Sequence, residues 1–75
     1  MHTIFVLIPK EPGPLVVAPH LDASEALEYL KRWGVKGEVY ACRLSTGAAT
    51  EVRSKGQLKD LKMFSHSMQH CADVT

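Results

Sequence analysis

A chain of 75 residues with 45% hydrophobic and 23% charged side chains is too apolar and too evenly charged to stay disordered, and short enough to form one domain over residues 1–75 with a thin core. Nine lysines and arginines against eight acids leave a net charge of +1, which excludes the strong uniform field of a protein built to coat a polyanion or an anionic membrane. The charge is uneven, however: residues 1–38 carry four cations and five anions, residues 39–75 five cations and three anions, so an electrostatic function belongs to the second half.

The stretch "TIFVLI" (3–8) predicts a strand, because β-branched and aromatic side chains fill it; its lack of alternation implies that both faces are covered. The same apolar run is too short to span a membrane and lacks the cationic start and small-residue cleavage site of a signal peptide, which points to a cytoplasmic protein. "KEPGP" (10–14) breaks the strand, and "LVVA" (15–18) reads as a second strand pairing back on the first. Pro14 and Pro19 bracket it and suit a sheet edge, where a missing amide hydrogen costs nothing.

"DASEALEYLKRWG" (22–34) predicts a helix that opens on the capping pattern Asp22/Glu25 and ends at Gly34. Ala23, Ala26, Leu27, Tyr29, Leu30 and Trp33 gather on its expected core face. Next, "EVYACRL" (38–44), "STG" and "AATEVR" (48–53) read as a second hairpin turning at Gly47. Ser54 and Gln57 repeat the capping spacing and open a second helix of about four turns. The expected fold is therefore α+β in the order ββαββα: a four-stranded, mainly antiparallel sheet with two helices.

On that second helix Leu58, Leu61, Phe64, Met68, Cys71 and Ala72 form the inward stripe. Lys55, Lys59, Lys62, His66 and His70, spaced 4, 3, 4 and 4, form a cationic row outside. Arg43 and Arg53 on the second hairpin extend it if they face the same side. Such a row would dock phosphates or carboxylates of a partner.

"SHSMQHC" (65–71) concentrates metal-ligand side chains, yet on a helix His66 and His70 supply only two of the four ligands zinc wants, while Cys71 turns away. No metal and no cofactor is expected. Cys42 and Cys71 are expected to be free thiols, there being no secretory signal. Catalytic patterns are equally incomplete. His70 and Cys71 diverge on a helix, His20 and Asp22 suit a turn and a cap, and Gly34, Gly37 and Gly47 lack the spacing of a phosphate loop. Phe5, Tyr29, Trp33 and Phe64 are needed for the core, which leaves no row of rings for stacking on bases.

With both helices on one face of the sheet, the other face would expose an apolar patch suited to a partner or to a second copy; with the helices on opposite sides, both faces are covered. The units "DASEALEYLKRWG" and "SKGQLKDLKMF", the small size and the absence of a catalytic motif give the chain a resemblance to the small α+β proteins that phages and mobile elements encode against host machinery, anti-CRISPR proteins among them. Those inhibitors share no motif, so the resemblance carries over no residue. It implies a stoichiometric binder that blocks a larger host protein or complex. The expected function is thus a non-enzymatic inhibitor or adaptor. The alternatives are a small nucleic-acid-binding protein using the same lysines with Arg43 and Arg53, and a small enzyme or metal protein.

Overall fold

The computed structural model describes residues 2–20, 22–55, 61–63 and 65–75. β1 (His2–Pro9) is followed by the two-residue β2 (Val16–Val17), α1 (Ala23–Arg32), β3 (Gly37–Leu44), α2 (Thr46–Lys55) and β4 (Ser67–Val74), with residues 61–63 helical between the last two. The strands form one sheet in the order β2-β1-β3-β4, every neighbour antiparallel. The α+β class and the four-stranded antiparallel sheet are as expected.

β1 shows why its run lacks alternation. Ile4, Phe5, Val6 and Leu7 are all buried, because alternate side chains of a strand point to opposite faces and each face here has its own core. Ile4 and Val6 pack with Cys42, Leu44, Ala48, Ala49, Val52 and Leu61 under α2. Phe5 and Leu7 pack with Val39, Ala26 and Leu30 under α1. The helices lie on opposite sides of the sheet, so the bare apolar face that a one-sided arrangement would leave does not arise. Each full burial of such a side chain contributes about 1.5–3 kcal/mol, and this division lets two short helices cover two faces.

α1 begins where Asp22, in extended backbone, accepts hydrogen bonds from the amides of Ser24 (2.8 Å) and Glu25 (3.5 Å), satisfying donors that the first turn leaves free. It ends at Gly34, whose φ of +67° is the left-handed conformation a helix stop requires. Ala26 and Leu30 are its buried residues. Trp33, expected in the core, is instead 56% exposed. It sits at the C-cap, beyond the part of the helix that crosses the sheet, and leans edge-on against Tyr29.

The last part of the chain departs from the expected ββαββα: the observed order is ββαβαβ. Residues 48–53 are helical, not a strand, and the turn at Gly47 is the first turn of α2. Ser45 caps this helix: its Oγ accepts from the Ala48 amide (3.4 Å) and its carbonyl from the Ala49 amide (2.9 Å). Ala48, Ala49 and Val52 then fall on one helical face and are buried. Ser54, expected to open a helix, lies inside α2 and donates its hydroxyl to the Glu51 carbonyl. Residues 67–74, expected to be the end of a long helix, form a strand along β3. Cys71, expected to point inward, is exposed there, and Cys42 is the buried thiol. Gln57, Leu58, Lys59 and Phe64 lie outside the described residues.

Candidate functional site

The cationic row needed one continuous helix from 55 to 70. Its members are instead divided among elements: Lys55 ends α2, Lys62 is exposed at the helical residues 61–63, His66 is exposed just before β4, and His70 is in β4; Lys59 lies outside the described residues. The His66 amide donates to the Arg43 carbonyl at 2.8 Å and thereby starts the β3–β4 ladder. Arg43 lies between Cys42 and Leu44, which are buried under α2, so its side chain leaves the opposite face of the sheet. Arg53 is exposed on α2 itself. The two arginines do not extend a common surface.

What the structure does assemble lies on the α2 side of β3 and β4, beyond the buried core. Glu38 and Tyr40 are two apart on β3 and share a face, and the Tyr40 hydroxyl donates to Glu38 Oε2 at 2.7 Å. His70 stands opposite Tyr40 and Asp73 opposite Glu38. The His70 and Tyr40 rings meet edge to face with centroids 5.5 Å apart, and His70 Nε2 lies 2.9 Å from Asp73 Oδ1. One potential ligand atom from each of Glu38, His70 and Asp73 lies within 4.8 Å of the others. The His70 and Asp73 side chains are 47% and 57% exposed, so water reaches the group. Hydrogen bonding to the Glu38 carboxylate, then desolvation and the charges of Glu38 and Asp73, raise the Tyr40 phenol above its ordinary value of 10.0; at neutral pH it remains a donor.

A cleft of about 430 Å³ opens beside this cluster, between the Ile8–Lys10 end of β1 and the Asp73–Thr75 segment, with Glu38 and Asp73 in its lining. Glu38 and Asp73 were not among the residues singled out from the sequence. Glu38 and Tyr40 had a readable signal, since i and i+2 on a strand share a face. The pairing with His70 and Asp73 depends on a register that one sequence does not encode locally.

The two cysteines are free and differently placed. Cys42 is wholly buried, and burial, followed by the nearby Cys71, pushes its thiol up to about 11. Cys71 is exposed, with Sγ 3.5 Å from the Gln69 carbonyl. A disulfide-exchange reagent at pH 8 is expected to modify one thiol per native chain, at Cys71, and a second only in denaturant; rapid native labelling of both would contradict this burial. The raised Cys42 value has a sign for stability as well. The folded state holds the proton more tightly than the unfolded state, so this contribution is intact below about 9.0, the ordinary value, and is lost as pH rises toward about 11.

None of the described helices is long and apolar enough to cross a membrane. Comparison with protein-family models, with curated proteins and with solved structures finds no match.

Proposed function

We propose that this protein is a non-enzymatic binding module, an inhibitor or adaptor that takes up an extended segment of a partner protein along the outer side of β4 and so blocks part of a larger complex, in the manner of small phage-encoded inhibitors. The observation that carries this reading is the asymmetry of the two sheet edges. β2, at one edge, has two residues and is flanked by Pro14 and Pro19. β4, at the other, has eight residues, none of them buried and none a proline, and among the described residues it is paired only with β3. An open strand of that length presents a row of unused backbone donors and acceptors, the template for strand addition. The register irregularity in β4 and the exposed His70 and Asp73 limit indiscriminate pairing, which is how natural edges avoid aggregation.

A nucleic-acid partner draws less support, because phosphate binding needs cations on one continuous surface, and Arg43 and Arg53 leave from different sides. A photo-cross-linker placed at Gln69, on β4, is expected to give one discrete adduct in cell extract at one partner per chain, and the same group at Arg53, on α2, to give none. Adducts from position 53 with none from 69 would return the docking surface to the helical side and end the strand-addition reading.

A further inference from the structure

We propose that Glu38, His70 and Asp73 form a binding site for one divalent first-row transition-metal ion, with Tyr40 positioning two of the three ligands. This proposal is independent of strand addition to β4 and stands or falls on its own measurements. It also reverses the expectation of no metal, which rested on a helix that would offer only His66 and His70 as ligands, with Cys71 turned away.

The construction of the site starts from an irregularity in the ladder. His70 and Asp73 are three residues apart, and on a regular strand an odd separation sends two side chains to opposite faces. Between Val39 and Tyr40 the register of β4 shifts: Tyr40 stands opposite His70, while Val39 stands opposite Ala72. Cys71 is thus the extra residue of a β-bulge, and a bulge re-aims the side chains that follow it. Because of it, Asp73 returns to the face of His70 and faces Glu38 across the ladder. Without the bulge the three groups would not meet.

The geometry then fits an ion. His70 Nε2 and Asp73 Oδ1, 2.9 Å apart, are close to the spacing of roughly 3.3 Å between two ligands that each lie about 2.0 Å from a tetrahedral metal. The longest separation in the set is within 4.8 Å, and Glu38, an exposed side chain with three rotatable bonds, can close it. An ion entering between His70 and Asp73 would bind the Nε2 lone pair of the tautomer that carries its ring proton on Nδ1, so that the ligands are one neutral imidazole and two carboxylates. The two carboxylates offset a divalent charge. The imidazole selects for zinc and its neighbours over magnesium or calcium, which prefer oxygen alone. Tyr40 serves both sides, donating to Glu38 Oε2 and packing its ring on His70, as groups behind metal ligands commonly do. The remaining coordination positions face water, next to the cleft that Glu38 and Asp73 line.

The test is calorimetric titration of Zn²⁺ into untagged, reduced full-length protein. One ion per chain is expected. His70→Ala should weaken binding by about 100-fold or abolish it, and Tyr40→Phe, which keeps the ring and loses the donor, by about 10-fold, each with unchanged circular dichroism. His66→Ala and Cys71→Ser should bind as the parent does. With Co²⁺ as probe, the ligand-field absorption should differ between the parent and Tyr40→Phe, a change that a merely structural tyrosine would not produce. Absence of stoichiometric Zn²⁺ binding, loss of binding in Cys71→Ser or His66→Ala, or equal affinity for Mg²⁺ would each overturn the proposal.

Discussion

Gly37→Ala is expected to destabilise the fold by about 3 kcal/mol, a large share of what a domain this small possesses. Gly37 opens β3, with Pro9 of β1 on one side and Val74 of β4 on the other. A methyl group there would run into the backbone carbonyl of Ile8, with the Ile8 carbonyl carbon at 2.9 Å and the Pro9 Cα at 3.0 Å. These are main-chain atoms of the adjacent strand, so no rotamer change relieves the contact. β1 and β3 would have to separate where the Lys10 amide donates to the Lys36 carbonyl at 2.9 Å. The effect is read as a lower urea midpoint at an unchanged slope. Gly47→Ala is the control, since nothing lies within 4 Å of the added carbon there. Equal midpoints for the two variants would mean that the strands separate without cost.

Leu61→Ala is expected to cost about 2–5 kcal/mol, whereas Lys62→Glu, one residue on, should change stability by no more than about 0.5 kcal/mol. Leu61 is completely buried beside Ile4, Cys42, Leu44 and Val52, and α2 brings mainly alanines to that core. The leucine therefore fills space that the helix leaves. Its truncation opens a cavity under neighbours held by the sheet, while Lys62 is exposed. Thermal or urea unfolding separates the two. A small effect at Leu61 would mean that the core under α2 closes over the gap.

The elements readable from the sequence were those in which local preference and tertiary environment agree. β1 announced its double burial through unbroken β-branched and aromatic residues. α1 carried both of its signals, Asp22 accepting at one end and Gly34 left-handed at the other. Residues 48–53 misled because Thr50 and Val52 are β-branched and suggest a strand. The opposing evidence was Ser45 as a cap with Ala48, Ala49 and Val52 at helical spacing, a weaker pattern because alanine is at home in many settings. Residues 67–74 misled in the other direction: Met68, Gln69 and Ala72 favour helices, and pairing with β3 overrides that preference. The bulge at Cys71 also interrupts the alternation by which the strand would have been recognised, and the same bulge brings His70 and Asp73 to one face. The sequence cue for β4 was weakened by the feature that assembles the cluster.

The central pair of the sheet, β1 and β3, is not a hairpin, since β2 and α1 lie between them in the chain. Its ladder pairs His2 with Leu44 at one end and Pro9 with Gly37 at the other, so even its nearest contacts must first close a loop over residues 10–36. Zipping from a local turn is ruled out for these two strands, and the loop-closure entropy falls before the reward of pairing. Refolding should accordingly be slower than for a helical bundle of equal length, with its rate set by the arrival of β3 against β1 and only secondarily by how readily α1 winds.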